Sequence, residues 1–534
     1  MKKNYNIASL LLAVLLLAPS CDEKLLDIPQ QGVQSEDNSY ITDEDCMSAV
    51  ASVYSMWRAV WSGCGYKIAP IAYPNLFWMK NLMADDMVTN STYESEFSAS
   101  TVTVSNAWVE ALYNGLYKNI YYANIITDKF TPESDVKARC IAEAKFFKAL
   151  CYYELITLWG EIPLVDHVLA PEEYEIGPST YQELWKFVED NLTDAIESRT
   201  LPSKTGIDDK ETGTRITLEA AYAVRGKVYL TEEKFAEAKA DFEKVISSRL
   251  YGLIPDFENL YHTPANLCRE YIFENVRKWD TANLRYNDSG ASAIQDGWYG
   301  LQENWPFPYN FALDGTNTYP FVEMGWGDMN PTRKVYDAFV AEEGPSSRRR
   351  LASCLVLEDL PSFGVIYTGG SWKGNEGVLR FKWLMNQQDE IWNAWTGRLN
   401  DTPCMRYADV LLMMAEACLR GGGGSADSYY NEVRTRAGLP TKSGVTMDDV
   451  KKERLLELCF EAVRFQDLKR WGDLATECAD KGKKLPTLMD GGYVQYVDNP
   501  DPAAGFQERD YLLPIPLVEL QTNKAMKDHQ NIGY

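Results

Sequence analysis

Acidic side chains recur at helical spacing in the segment 453–474, where they could carry out acid–base chemistry. Glu453, Glu457 and Glu461 are four positions apart and Arg464 follows three later, so the four would share one helix face. Paired carboxylates of this kind could be the acid and base of a glycoside hydrolase. A general acid needs a raised pKa, however, and interleaved arginines would hold the carboxylates ionised. The pattern therefore favours an ion-pair network that fixes the helix to its neighbours.

Asp85 and Asp86 form a second candidate group, directly after the apolar run NLFWMKNLMA. They could coordinate calcium or accept hydrogen bonds from sugar hydroxyls, and a solvated loop is an equal alternative. Their spacing lacks the alternating pattern of a calcium loop. Only three histidines occur, and they are far apart in the sequence, so a histidine-based catalytic triad or metal site is not favoured. No CxxC pair occurs among the eleven cysteines, so buried free thiols are expected, with no metal and no cofactor.

Cys21 is the remaining residue with a chemical role. It follows two lysines and a short apolar run, Ile7 to Ala18, which is typical of a secretory signal peptide and too short to span a bilayer. Leu-Ala-Pro-Ser-Cys resembles the lipobox of bacterial lipoproteins, although Ala18 and Pro19 depart from the commonest residues. The alternative is a plain cleaved signal with a chance cysteine. A lipid on Cys21 would anchor the mature chain to a membrane.

The charge balance excludes some partners. The 534 residues carry a net charge of −24, and loss of Lys2 and Lys3 with the leader would make it −26. Such an acidic body repels phosphate backbones and anionic membrane surfaces, so nucleic acid is not an expected partner.

Helical periodicity dominates both ends of the chain. The predicted helices cover 108–126, 136–160, 180–199, 406–424, 425–440 and 453–474, before a proline-punctuated tail with one short helix. Within 216–248, aromatic and small residues lie at offsets 0, 4, 7, 16 and 20, the pattern of a tetratricopeptide helix pair. These residues are Tyr222, Gly226, Tyr229, Ala238 and Phe242.

Between about 252 and 400 the helical pattern fades, and Gly, Asn, Pro, Trp and Tyr dominate. Two short strands are predicted near Tyr271–Val276 and Val378–Trp383. Long structured loops of this kind are often functional.

The tryptophans divide into two groups by local pattern. One group lies in helical patterns and is assigned to the core: Trp57, Trp108, Trp159, Trp185 and Trp471. The other lies in or beside irregular stretches: Trp298, Trp305, Trp326, Trp372, Trp392 and Trp395. Exposed rings suit the apolar faces of sugars, with nearby amides and carboxylates fixing orientation. The alternative is that these rings pack a long loop onto the body.

Several C-terminal motifs occur together in a recognisable order. NPTRKVYDAF (330–339) is followed by RYADVLLMMAEA, NEVRTRAGLP, ERLLELCFEAVRFQDLKRWGDL, YLLPIPLVEL and the terminal QNIGY. With these motifs, the early repeat helices and Cys21, the chain resembles the SusD/RagB family of Bacteroidetes outer-membrane lipoproteins over essentially its whole length.

The resemblance implies a mostly α fold, an α-superhelix of four tetratricopeptide-like helix pairs with a loop-rich half that carries short strands. The expected organisation is a signal peptide at 1–20 and one SusD-like domain at 21–534. Within that domain, 21–250 would be the helical repeat part, 251–400 the loop-rich binding part, and 401–534 the C-terminal helical part and tail.

The resemblance also implies a function, which is non-enzymatic. Members of the family bind nutrients, usually oligosaccharides or polysaccharides, at the cell surface. They deliver them to a SusC-type TonB-dependent transporter in the outer membrane. Asp22 and Glu23 resemble the surface-export signal of such lipoproteins.

The family's ligand sites draw on loops after the first helix and in the loop-rich middle, here about 73–97 and 285–330. On this regional basis we expect glycan contacts from Trp78, Asp86, Tyr93, Trp298, Tyr299, Trp305 and Trp326. Three alternatives stay open: a glycoside hydrolase with paired carboxylates, a binder of peptide or glycopeptide cargo, and a scaffold whose repeats bind only protein.

Overall fold

The computed structural model describes residues 40–62, 75–90, 94–276, 311–313, 327, 329–384 and 400–534. This part of the chain is mostly helical, as predicted. No helix in these ranges is both long and apolar enough to cross a bilayer.

The helices follow the predicted order. They are α1 Asp43–Ser62, α2 Leu76–Met83, α3 Ser95–Ala99, α4 Ala107–Lys129, α5 Asp135–Trp159, α6 Tyr181–Glu197, α7 Leu218–Thr231, α8 Phe235–Ser248, α9 Arg333–Glu343, α10 Arg348–Ser353, α11 Tyr407–Ala417, α12 Asp427–Arg436, α13 Met447–Leu458, α14 Arg464–Trp471, α15 Leu474–Glu477 and α16 Leu517–Thr522.

The strands are short and gather into small antiparallel sheets. They are β1 Met87–Val88, β2 Tyr271–Asn275, β3 Phe311–Leu313, β4 Asn330–Pro331, β5 Cys354–Val356, β6 Val365–Tyr367, β7 Trp372–Lys373, β8 Val378–Arg380, β9 Thr402–Arg406, β10 Lys484–Leu488 and β11 Val494–Asp498. β2 pairs with β9, so the two ends of the loop-rich part lie side by side. β1 pairs with β4, β3 with β6, and β5 with β8, while β7, β10 and β11 form one sheet. Both strands predicted from the sequence are confirmed, as β2 and β8.

Side-chain caps set the starts of several helices. Asn106 accepts hydrogen bonds from the backbone N–H groups of Trp108 and Val109 at the start of α4. Thr180 and Glu183 form a reciprocal capping box at α6. Such caps satisfy backbone donors that would otherwise lack partners, so polar residues before the apolar runs mark where the helices begin.

The helices pack largely as neighbouring pairs, including α5 with α6, α7 with α8, and α11 with α12. In the α7–α8 pair, Gly226 faces the ring of Phe242, and a Cβ on Gly226 would lie 2.6 Å from that ring. Ala238 and Phe242 are fully buried. The tetratricopeptide pattern in 216–248 is thereby confirmed: the small residue permits the close crossing that the aromatic ring fills.

The single long helix predicted for 453–474 is wrong. The segment forms the end of α13 and all of α14, separated by a turn at 459–463. Two non-glycine residues in this turn, Phe460 and Ala462, have φ values of 63° and 60°. That left-handed conformation is unfavourable for residues with a Cβ. Hydrogen bonds hold it, since Phe460 N–H donates to Asp86 and Ala462 N–H donates to Asn81, over 3.1 and 2.7 Å.

The carboxylates of this segment lie in a buried ion-pair cluster centred on Arg406, which is 1% exposed. Its guanidinium bonds Glu461 through Nε at 2.6 Å and through Nη2 at 2.8 Å. Its Nη1 lies 3.0 Å from Glu457 and also pairs with Glu270. Lys382 completes the charge balance on Glu461, at 2.8 Å.

Arg349 extends the cluster to α9 and α10. It is fully buried and lies 2.6 Å from Glu453 and 2.9 Å from Glu457. Burial alone would raise the pKa of Glu457, but Arg436, Arg406 and Arg349 outweigh it and lower that pKa to about 2. The predicted ion-pair network is confirmed, and its cations keep Glu457 ionised. The cations come from distant segments, so the cluster ties the loop-rich part to the C-terminal helices.

The core tryptophans predicted from helical patterns occupy the expected environment. Trp57, Trp108 and Trp159 are buried. Trp185 and Trp471 are half-buried against the same apolar core. The nine cysteines of the described ranges are free thiols, most of them buried, as expected.

Replacement of Arg406 by Met should destabilise the fold strongly. The substitution leaves Glu461, Glu457 and Glu270 with fewer cations in a buried site. We expect a loss of about 3–5 kcal/mol in the free energy of unfolding, measured by urea denaturation.

The matched control is Arg348→Met, which removes an exposed pair with Asp256 and Glu258. Exposed pairs contribute about 0–1 kcal/mol, so this variant should unfold close to wild type. Equal losses in the two variants would contradict a structural role for the buried cluster.

Candidate functional site

The structure describes two of the predicted glycan contacts, and both are buried. Trp78 lies in α2, is 2% exposed, and has the Arg380 guanidinium 4.5 Å from its ring centroid. Its ring also makes a T-shaped contact with Phe77, with the ring centroids 5.0 Å apart. Asp86 is fully buried. A sugar cannot stack on a ring already covered by protein, so this placement gives Trp78 and Asp86 structural roles and does not support ligand contact.

The other predicted contacts lie outside the described residues. These are Tyr93, Trp298, Tyr299, Trp305 and Trp326, together with the predicted lipidation residue Cys21. Their assignment stays a prediction.

Trp372, from the second tryptophan group, is an exception to the expectation of exposed rings. It lies in β7, is 5% exposed, and its Nε1–H donates to the carbonyl oxygen of Gly327 at 2.7 Å. Its ring packs in a small apolar cluster with Leu379 and Leu488. Trp372 therefore corresponds to the packing alternative considered for these rings. Trp392 and Trp395 lie outside the described ranges.

Asp85 and Asp86 occupy opposite electrostatic environments. Asp85 bonds Arg464 at 2.8 and 3.0 Å and lies 2.6 Å from Lys334. Burial would raise the pKa of Asp85, but these cations outweigh it and lower that pKa. Burial, and then repulsion from Asp85, raises the pKa of Asp86 to about 7. Within the described ranges no group of three or more His, Cys, Asp or Glu side chains could hold a metal ion.

These two residues connect the interior to a surface cleft. The backbone carbonyls of Asp85 and Asp86 accept hydrogen bonds from the hydroxyl and the N–H of Thr332, at 2.8 and 3.0 Å. The chain then enters β1, which pairs with β4. These two backbone hydrogen bonds therefore hold the strand that begins one wall of the cleft beside β4.

The cleft has a volume of about 1020 Å³. Its walls come from segments 84–90 and 95–101, from residues between 332 and 376, and from residues between 476 and 501. Close backbone approaches bring the walls together. Cβ atoms on Gly374 and Gly482 would lie 2.6 Å from Asn90 and 2.5 Å from Ala99, respectively. Both glycines have positive φ, so substitution there would strain the backbone as well as obstruct the contact.

The polar lining combines charged side chains with many hydroxyl and amide side chains. They include Thr89, Asn90, Ser95, Thr101, Thr332, Thr487 and Asn499. Apolar surface lies beside them on the β10–β11 hairpin, where Tyr496 and Val497 are 47% and 54% exposed. A wide cleft with many hydrogen-bonding groups and one exposed aromatic ring can hold a polyhydroxylated ligand.

Only one of the three walls was predicted from the sequence. Residues 84–90 and 95–97 lie within the predicted region 73–97, but the hairpin formed by β10 and β11 was missed. A signal was available, since Asp490-Gly491-Gly492 separates two runs of alternating polarity. Gly491 and Gly492 both adopt positive φ in the connecting loop, as hairpin turns often require.

Comparisons with known proteins identify relatives across both halves of the chain. A family model described as "SusD family" matches residues 364–534, and one described as "Starch-binding associating with outer membrane" matches residues 41–230. A SusD-like protein of Bacteroides ovatus is 24% identical over 85% of this chain and 80% of its own length. The starch-binding protein SusD of Bacteroides thetaiotaomicron is 24% identical over 80% of this chain and 79% of its own length.

Solved structures agree in fold. A laminarin-binding SusD-like protein superposes with a TM-score of 0.75 at 24% identity, covering 93% of this chain and all of that one. A surface glycan-binding protein A of Bacteroides thetaiotaomicron, in complex with laminarihexaose, has a TM-score of 0.70 at 23% identity. That match covers 92% of this chain and 100% of the other. These likenesses show a shared architecture.

Asp86 should make stability depend on pH in a predictable direction. Its folded-state pKa of about 7 lies above the ordinary value of 3.8. Its contribution to stability is therefore complete below about pH 4 and is lost as the pH rises through about 7. We expect the stability of Asp86→Asn relative to wild type to increase as the pH rises from 5 to 8. Urea unfolding at each pH measures this difference.

Asp427→Asn is the control for this series. Backbone N–H groups of Val445 and Gly444 lower the pKa of Asp427, so it stays ionised from pH 5 to pH 8. Its stability difference from wild type should be constant over that range. A constant difference for Asp86→Asn as well would refute the assignment of a raised pKa.

Proposed function

The chain belongs to the SusD/RagB family, and from that premise we propose that it is a cell-surface lipoprotein that binds glycan. It hands oligosaccharide to a SusC-type TonB-dependent transporter in the outer membrane. The leader at 1–20 is removed, and a lipid on Cys21 holds the mature domain, 21–534, at the membrane.

The observation that carries the proposal is the cleft of about 1020 Å³ with its hydroxyl and amide lining and the exposed ring of Tyr496. Its volume suits an oligosaccharide, and its chemistry suits hydroxyl groups beside an apolar sugar face. The names of the relatives support the same ligand class, since they describe starch, laminarin and glycan binding.

Binding without hydrolysis is the second part of the proposal. Glycoside hydrolysis by the common mechanism needs two carboxyl groups beside the scissile bond, one of them held protonated. The carboxylates at helical spacing are buried and paired with arginine or lysine. Delivery to a transporter instead needs moderate affinity, so that the ligand can be released.

Affinity electrophoresis of the soluble mature protein, residues 22–534, tests the ligand class. The gels contain different polysaccharides, including starch and laminarin, and the same samples are assayed for new reducing ends. We expect retardation on at least one polysaccharide without new reducing ends. Cleavage would replace the proposal with a hydrolase, and no retardation on a broad panel would favour peptide or glycopeptide cargo.

Tyr496→Ala tests whether the cleft is the binding site. Loss of a stacked ring should weaken binding about threefold to tenfold, equivalent to about 0.5–1.5 kcal/mol. Tyr174→Ala is the control, because Tyr174 is 61% exposed and lies outside the cleft. If Tyr496→Ala binds like wild type while Trp298→Ala or Trp305→Ala loses binding, the site lies in the loop-rich middle instead.

Cys21→Ala tests the anchor separately. Without an acylated thiol, we expect the protein to move from the membrane fraction to the soluble fraction after cell lysis. The wild type expressed in parallel is the reference. An unchanged distribution would show that Cys21 is not the lipidation site.

A further inference from the structure

Charge along the cleft differs from charge on the rest of the molecule. The chain carries a net charge of −24, whereas the cleft is lined by five lysines and five acidic residues. The lining is therefore neutral by count in a strongly acidic protein. How these groups pair decides which charges remain available to a ligand.

The acidic members already have protein partners. Asp85 is paired with Arg464 and Lys334, and Glu477 also pairs with Lys334. Asp480 lies 3.3 Å from Lys483.

The last two acidic residues accept backbone hydrogen bonds. Glu376 accepts from the N–H of Arg333, and Asp501 accepts from the N–H of Ala503 at 2.8 Å. Each negative charge in the cleft therefore has a donor within the protein.

Two lysines of the lining differ from these acidic residues because they have no ion-pair partner in the part of the chain that the structure describes. Lys373 and Lys484 are exposed, and neither forms an ion pair within the described ranges, although Asp498 of β11 lies across from Lys484 in the strand register. Lys481 has no carboxylate partner there either, and its ammonium group donates to the carbonyl oxygen of Phe97. Burial lowers the pKa of Lys481 to about 8, so a nearby anion would stabilise its charged form.

Lys373 and Lys484 lie on neighbouring strands of one sheet. Lys373 in β7 is opposite Thr487 of β10, and Lys484 is three residues further along β10. At about 3.4 Å per residue, that separation is about 10 Å along the strand. Because Lys484 is an odd number of residues from Thr487, the side chains of Lys373 and Lys484 leave opposite faces of the sheet. Both lysines line the cleft, which runs past the part of β10 that β7 does not pair with, so one ligand chain that crosses this strand edge can contact both.

We propose that the cleft selects anionic glycans and that Lys373 and Lys484 bind carboxylate or sulfate groups carried by successive parts of the sugar chain. The inference rests on the proposed glycan-binding function and adds the substrate class. The acidic body repels polyanions at long range, so binding of such a polymer requires this local positive charge.

The test compares matched polymers by affinity electrophoresis of residues 22–534. The ligands are a polyuronate, the same polyuronate with its carboxyl groups reduced to alcohols, a sulfated polysaccharide and a neutral glucan. We expect retardation by the polyuronate or the sulfated polymer, weakened by added salt, and little or none by the reduced and neutral polymers. Which polyanion binds distinguishes carboxylate from sulfate.

Variants assign the binding to the two lysines. Lys373→Gln and Lys484→Gln should each lower affinity for the polyanion about threefold to fivefold, as expected for an exposed ion pair, and the double variant should lower it further. Lys527→Gln, at an exposed lysine outside the cleft, should bind as wild type does. Circular dichroism of each variant checks that the fold is retained.

The outcomes separate this inference from the proposed function. Retardation by the neutral or reduced polymers, with none by polyanions, would overturn the anionic class and leave glycan binding intact. Polyanion binding that is unchanged in the double variant would overturn the assignment to Lys373 and Lys484. Failure of every polysaccharide would overturn both proposals.

Discussion

The buried cluster around Arg406 is the interaction on which the arrangement of the molecule depends. Carboxylates at Glu457 and Glu461 are unfavourable in the interior unless cations accompany them. Those cations are Arg406, at the end of β9, Arg349 in α10, and others from α12 and the segment after β8. Each carboxylate therefore requires a distant part of the chain to be in place.

The consequences extend from the cluster to the surface. Glu457 is the last residue but one of α13, which ends at Leu458, and the chain then turns through the left-handed residues Phe460 and Ala462. The N–H group of Phe460 donates to Asp86, which lies just beyond α2, and that of Ala462 donates to Asn81 in the last turn of α2. Asp86 precedes β1, so hydrogen bonds from the turn that follows the cluster hold the start of the first wall of the cleft.

Charges in the interior and charges in the cleft follow different rules. Interior ions are matched within the protein, because an unpaired buried charge costs several kcal/mol, on the order of 3–5. Lys373 and Lys484 face water, where an unpaired charge costs little. They can exchange water for a ligand anion at a modest gain, and a modest gain is compatible with the proposed release of ligand to a transporter. The same residue types thus stabilise the fold in one place and stay available for binding in another.

Local patterns were enough to predict most of the helices, because an amphipathic helix needs only the spacing of its own residues. The tetratricopeptide pair at 216–248, the strands at Tyr271 and Val378, and the ion pairing of Glu453 and Glu457 are all present in the structure. The break in 453–474 was not predictable, because it is held by Asp86 and Asn81, more than 370 residues away. Exposure of Trp78 and Trp372 could not be read from sequence either, since burial depends on what the rest of the chain places over each ring. The sequence by itself determined the family, the helical pairs and the charge balance. Only the tertiary structure decided which charges form ion pairs and which stay unpaired, because pairing depends on distances between segments that are remote in the chain.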